Sequence, residues 1–228
     1  MQLEKLTHKR RDENKRRYDD ACSAAHGMDL IGERWSMPLI RELLLGPRRF
    51  GDLKTALNGI SANVLTQRLE GLEAAGVLVR RKLPPPASVQ VYGLTPWGQE
   101  AAPIFQALGR WAVRSPQHDS SRPFSPVSLM LSLRTMMDPK AAGDLSATIQ
   151  FDMADESFFW IRRQGDIRIG RGEVESPDLI FRGTPAEIAG YFYAGALLSS
   201  IEVEGDEALA VRLPSLYPMP PKAPSAGS

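Results

Sequence analysis

"FGDLKTALNGISANVLTQRLEGLEAAG", residues 50–76, holds two short helices back to back. Phe50, Leu53 and Leu57 recur at helical spacing, and Asn58-Gly59 ends the first helix. Ser61 then caps a second helix that closes at Gly76, with Leu72 and Val77 where a Schellman ending places its apolar contact. Two helices joined by a short glycine-containing turn are the skeleton of a helix-turn-helix.

The second helix also carries the chemistry. At about 100° per residue, Leu65, Leu69 and Leu72 cluster on one side, with Asn63, Gln67 and Glu70 opposite and Thr66 beside them. Asn and Gln one turn apart each present a paired donor and acceptor, the geometry that matches the major-groove edge of adenine. Arg68 lies at the margin, placed for a phosphate, and Ser61 leaves backbone N–H groups at the helix start that favour the same anion. A polar outward face by itself usually just meets water, so the neighbouring elements have to decide.

Upstream, "SMPLIRELLLG" begins at a Ser36 cap and stops at Gly46, with Leu39, Ile40, Leu43 and Leu44 on one face. Downstream the period changes to two in "VLVRRKL" and "VQVYGL", joined by "PPPAS", which predicts a two-stranded ribbon. Arg48 and Arg49 before the pair, and Arg80, Arg81 and Lys82 on the ribbon, are further phosphate candidates. The ribbon's tip is uncharged, so its strand supplies the cations. Thr95-Pro96 opens a final helix whose stripe of Trp97, Ala101, Ile104, Phe105, Leu108, Trp111 and Ala112 is wide and aromatic. A stripe of that size predicts a contact between molecules, dimerisation foremost, with a purely internal packing role as the alternative.

These residues resemble the HxlR-type winged helix-turn-helix regulators of bacteria over residues 22–114, about two fifths of the chain. The motifs are Cys22, Ile31-Gly32, Arg34-Trp35, Gly46-Pro47-Arg48-Arg49-Phe50, Gly59-Ile60-Ser61, Leu65-Thr66-Gln67-Arg68-Leu69 and Leu94-Thr95. The resemblance implies a homodimeric transcriptional regulator that reads double-stranded DNA at a pseudo-palindromic operator. It makes the helix from Ser61 the recognition helix and residues 80–92 the wing. Some members use a cysteine at the position of Cys22 to sense oxidants or electrophiles. Here the uncharged neighbours Ala21, Ser23 and Ala24 favour a buried structural thiol, with an intersubunit disulfide as the alternative.

Of the 28 Lys+Arg, 18 lie in residues 1–114 against 12 of the 27 Asp+Glu, a balance of about +6, and the remainder carries 10 against 15, about −5. A basic half joined to an acidic one suits nucleic acid on the first side, although charge scatter produces the same split. No apolar run approaches the roughly 20 residues that span a bilayer, so no membrane insertion is expected. A single cysteine excludes an intrachain disulfide and suggests a reducing, cytoplasmic setting. Three scattered histidines argue against structural zinc, and no cofactor is expected. Residues 1–20 read as a basic polar arm or a solvated helix, 21–114 as the winged helix, 115–123 as a linker and 217–228 as a disordered tail.

Residues 124–216 form the second patterned region. An apolar helix from Ser125-Pro126 precedes strands in "SATIQFDM", "SFFWIRRQ", "DIRIGRG" and "DLIFRG". Thr184-Pro185-Ala186-Glu187 is a capping box opening another helix, and "IEVEGD" and "EALAVRL" close an α+β unit. This order resembles the sterol carrier protein type 2-like domains, so the fold class expected for the chain is α+β, a winged helix followed by a sterol-carrier-like domain. That resemblance implies an apolar tunnel for a lipid-like effector. Met130, Leu133, Met137, Phe151, Phe158, Trp160, Phe192 and Leu197 are its candidate lining. The rival uses of these residues are an ordinary core or a dimer contact. No Gly-x-Ser-x-Gly elbow, phosphate-cradling glycine loop or spaced carboxylate pair is present, and an enzyme is not expected. The rival for the whole chain is a lipid carrier or interaction protein that uses its winged helix only to dimerise.

Overall fold

The computed structural model of the chain describes residues 18–123 and 125–224. Its first half runs α1 (Ser23–Ile31), α2 (Ser36–Leu43), α3 (Phe50–Ala56), α4 (Ala62–Ala74), β1 (Leu78–Lys82), β2 (Gln90–Leu94), α5 (Pro96–Gln99) and α6 (Ala102–Ala112). The α3–α4 pair forms because its leucines share one core: Leu53, Leu57, Leu65, Leu69 and Leu72 pack with Leu39, Ile40, Leu43 and Ile60. Each such burial contributes about 1.5–3 kcal/mol. The Ser61 hydroxyl accepts from the Val64 N–H at 3.3 Å and caps α4. At its far end the Val77 N–H donates to the Leu72 carbonyl at 2.9 Å, with Gly76 at φ +74. That is a Schellman ending, and it turns the chain directly into the ribbon.

Strands β1 and β2 are antiparallel, from Leu78 opposite Leu94 to Lys82 opposite Gln90. Arg48 and Tyr92 exchange both backbone hydrogen bonds, at 2.9 and 2.8 Å, so the segment before α3 lies against the wing as a third short strand.

Three features of this half differ from the sequence reading. Helix α1 precedes the predicted elements, with none of its residues fully buried, so its apolar face is too weak to announce itself by periodicity. The N-cap of α2 is Trp35, in a left-handed conformation at φ 81, and Ser36 is already helical. The predicted long final helix is two helices, because Pro103 stands in the first turn of α6 and has no N–H to continue a ladder from α5. The break divides the apolar stripe. Phe105 turns onto the second core, while Trp97, Ile104, Leu108 and Trp111 remain 50%, 54%, 44% and 75% exposed.

The second half contains α7 (Pro126–Met136), α8 (Pro139–Ala142), β3 (Ala147–Met153), β4 (Glu156–Arg163), β5 (Asp166–Arg171), β6 (Leu179–Arg182), α9 (Pro185–Ala194), β7 (Glu202–Gly205) and α10 (Glu207–Arg212). The five strands form one sheet in the order β5-β4-β3-β6-β7, antiparallel except where β6 runs parallel to β3. Alternate residues Ala147, Ile149, Phe151 and Met153 of β3 are buried in its core with Phe158, Trp160 and Phe181. Helices α7 and α9 pack there too, with Phe192 edge-on to Phe181 at 5.5 Å between ring centroids. The capping box at Thr184 is made, its amide and hydroxyl both donating to the Glu187 carboxylate. The same two donors hold the Glu187 carboxyl below its ordinary pKa.

Residues 217–224 do not trail free as the tail reading expected. Tyr217 is buried in the second core, and the Ala223 N–H donates to the Arg114 carbonyl at 2.7 Å. Lys222 Nζ donates to the carbonyls of Val113 and Ser115, so main-chain acceptors near the end of α6 hold the segment down. The last four residues, and residues 1–17 of the arm, lie outside the described residues.

The two halves touch. Leu44, Leu45 and Phe105 pack onto the second core. Glu42, only 1% exposed, accepts from Arg41 and from the Ser125 hydroxyl that caps α7. Arg48 donates to Glu156 at 2.5 Å, and Arg171 donates to the other oxygen of the same carboxylate. Burial first, and the charge of Arg48 second, lower the Arg171 pKa to about 10.

Candidate nucleic-acid interface

Helix α4 presents Asn63, Thr66, Gln67 and Glu70 to solvent, opposite its buried leucines. The side chains of Asn63, Thr66 and Gln67 make no hydrogen bond among the described residues. Their donors and acceptors are therefore unengaged, while α3 and the ribbon hold the helix that carries them. Ser61 is exposed beside them but its hydroxyl is already committed to the Val64 amide.

The basic candidates divide. Arg49, Arg81 and Lys82 are exposed and carry no ion pair among the described residues. Arg80 is exposed but donates to Glu73 at 2.8 Å and lies over the Tyr92 ring. The Glu73 pairing raises the Arg80 pKa and lowers that of Glu73, so this arginine is partly occupied in tying β1 to the end of α4.

Two phosphate candidates are corrected. Arg48 is 15% exposed and held by Glu156 of the second half. Arg68 is 19% exposed and pairs with Glu33 at 3.0 Å, back toward the end of α1. At about 140° from Asn63 it falls nearer the leucine side than the reading face, which is why its neighbours take it. Sequence reasoning missed Glu156 and Glu42 altogether, because the contacts that give them meaning span 108 and 83 residues.

Cys22 is also corrected. It is exposed at the N-cap of α1, and the backbone N–H groups of Ala25 and then Ala24 lower its thiol pKa. Main-chain donors leave no signal in the sequence, so its uncharged neighbours point the wrong way.

Of the eight effector candidates, Met130, Leu133, Met137, Phe151, Phe158, Trp160 and Phe192 are buried together in the second core. Leu197 is 74% exposed beyond α9 and shares no space with them. The Trp160 indole N–H and the Thr135 hydroxyl are buried there without a hydrogen-bond partner among the described residues. A groove of about 630 Å³ lies elsewhere, between α1 and the back of α4, lined by Tyr18, His26, Met28, Arg34, Arg68 and Ala75 among others.

The similarities to known proteins fall in the first half of the chain. Among solved structures, the reduced form of the transcriptional regulator YodB from Bacillus subtilis aligns with TM-score 0.40 and 29% identity, over 44% of this chain and 100% of that one. The redox regulator HypR in its reduced form aligns with TM-score 0.38 and 26% identity, over 40% and 90%. In sequence, the HTH-type transcriptional regulator sll1512 of Synechocystis sp. is 39% identical over 38% of this chain and 64% of its own length. The HTH-type transcriptional regulator YvaP of Bacillus subtilis is 37% identical over 37% of this chain and 79% of its own length. The HxlR-like helix-turn-helix family matches residues 30–120, and residues beyond 120 lie outside that match. With the α3–α4 pair, the wing and relatives of this identity all in the same segment, the chain belongs to the HxlR-like helix-turn-helix family.

Proposed function

We propose that the protein is a cytoplasmic, sequence-specific DNA-binding transcriptional regulator acting as a homodimer. The observation that carries this is the free Asn63/Thr66/Gln67 face on a helix braced by α3 and flanked by Arg49, Arg81 and Lys82. In this reading α4 enters the major groove, Asn63 and Gln67 address base edges, and the wing's strand cations meet phosphates. Half-sites of a pseudo-palindrome then stand about one helical turn apart, ~34 Å. Among the described residues no helix is long and apolar enough to cross a membrane, and no catalytic step is assigned.

Gln67→Ala is expected to weaken binding to a selected duplex by about 1–3 kcal/mol and to relax base preference at one position. Arg81→Ala should instead weaken all sequences alike and lower the slope of log K against log salt by about 1. Titrations of both variants at several salt concentrations check this. Equal, salt-independent losses would reject the assignment of α4 as the reading helix.

The dimer contact in this reading is the exposed ridge of Ile104, Leu108 and Trp111 on α6, with Trp97 before it. Trp111→Asp should shift the protein toward monomer in sedimentation at micromolar concentration, because it sets a charge in the middle of the buried patch. An unchanged sedimentation profile would place the dimer contact elsewhere.

The C-terminal domain, whose element order resembles the sterol carrier protein type 2-like domains, takes a hydrophobic effector or supports the dimer in this reading. Seven of its eight candidate lining residues are buried together in one core, so an effector would have to enter among them. Native mass spectrometry of the purified protein, with and without a lipid extract, distinguishes the two uses.

A further inference from the structure

The charged cluster between the two halves is spent on neither DNA nor effector in that reading. Glu156 stands at the turn between β3 and β4, with Arg48 on one carboxylate oxygen and Arg171 on the other. Arg171 also lies over the Phe158 ring at 5.0 Å, so β4 and β5 hold it in place. Arg48 exchanges both main-chain hydrogen bonds with Tyr92 of the wing. The Tyr92 ring carries Arg80, and Arg80 donates to Glu73 of α4 at 2.8 Å. A continuous set of contacts therefore runs from a turn of the C-terminal sheet, through the wing, to the end of the reading helix.

We propose that Glu156 is a positioning residue for the DNA-reading surface, fixing the wing against α4 through Arg48, so that the C-terminal domain sets DNA affinity without touching DNA. This rests on the DNA-binding reading above. Two guanidinium groups, 15% and 19% exposed, share this carboxylate. Without it the two largely buried guanidinium groups repel each other, and Arg48 is the one bonded to the wing. The winged-helix charges around this cluster are Arg48, Asp52, whose carboxylate is 3.9 Å from Arg48 Nε, and Glu42, whose charge also acts on Arg171 but whose carboxylate is already bonded to Arg41 and Ser125. Asp52 also accepts from the Arg49 amide at 3.2 Å, so it is engaged in starting α3 and is a poor substitute.

The sign of the effect separates this from plain electrostatics. Removing an acidic charge strengthens association with DNA when charge alone acts. Positioning requires the reverse.

The test uses the full chain carrying Glu156→Gln and a duplex selected by the unaltered protein from a random pool. Kd should rise about 3- to 30-fold at an unchanged salt slope. Amide exchange should quicken at Arg48 and Tyr92 while the leucine face of α4 keeps its protection. The reversed pair, Arg48→Glu with Glu156→Arg, restores one ion pair across the same two positions and should recover part of the affinity. Recovery is impossible if Arg48 contacts phosphate itself, because the pair puts an acid there. Equal or tighter binding by Glu156→Gln overturns the proposal, as does unchanged exchange at Arg48 and Tyr92. If the unaltered protein selects no duplex, the DNA-binding reading fails, and the exchange measurement still decides whether Glu156 holds the wing.

Discussion

Phe181→Ala is expected to cost the C-terminal domain about 3–5 kcal/mol in chemical denaturation followed by amide exchange of its strands. Phe181 is fully buried on β6, stacked on Phe151 at 5.4 Å and edge-on to Phe192 at 5.5 Å, with Tyr191 at 6.0 Å. Truncation loses the transfer energy of the ring and leaves a space among neighbours from a central strand and a helix, which cannot easily close in. The loss should fall on one transition. The two cores are distinct clusters joined by Leu44, Leu45 and Phe105 together with charged and main-chain contacts. A loss below about 1 kcal/mol would mean the core relaxes around the missing ring, and that the domain has the plasticity an effector site needs.

Leu65→Ala is expected to destabilise the winged helix by about 2–5 kcal/mol. Leu65 is fully buried beneath the face that carries Thr66 and Gln67, and it packs α4 onto α2 and α3. DNA binding should then fail through loss of the folded helix, so that affinity recovers on cooling or with a stabilising osmolyte while base preference and salt slope stay as they were. Gln67→Ala should behave in the opposite way, with full stability and altered preference. Circular dichroism melts read beside DNA titrations separate the two. A Leu65→Ala protein that melts normally yet binds no DNA would show that the leucine face is not what seats the reading helix.

Much of the fold was legible along the chain because short-range physics writes it there. Ser61, the Leu65/Leu69/Leu72 period and Gly76 mark a helix by cap, stripe and left-handed stop, all within one segment. The same holds for the Thr184 capping box and the alternation of β3. Proline was read too generously inside the final helix, where the apolar spacing across Pro103 looked continuous although the missing N–H breaks it. Helix α1 was invisible because its residues bury no full face.

The candidate interface was legible in one respect and hidden in another. Which side chains of α4 face outward follows from the helical period and the identity of its leucines, so Asn63, Thr66 and Gln67 are legible in the sequence. Which arginines are free could not. Arg48, Arg49, Arg80 and Arg81 are the same residue type in similar local settings, yet Glu156 holds the first, Glu73 the third, and the second and fourth stand open. Hydrogen bonding and hydrophobic period act over a few residues, so the helix-turn-helix and its outward face can be read along the chain. How charge is distributed over that surface depends on which distant segments fold together, because an ion pair depends on distance in space and leaves no periodic trace in the chain.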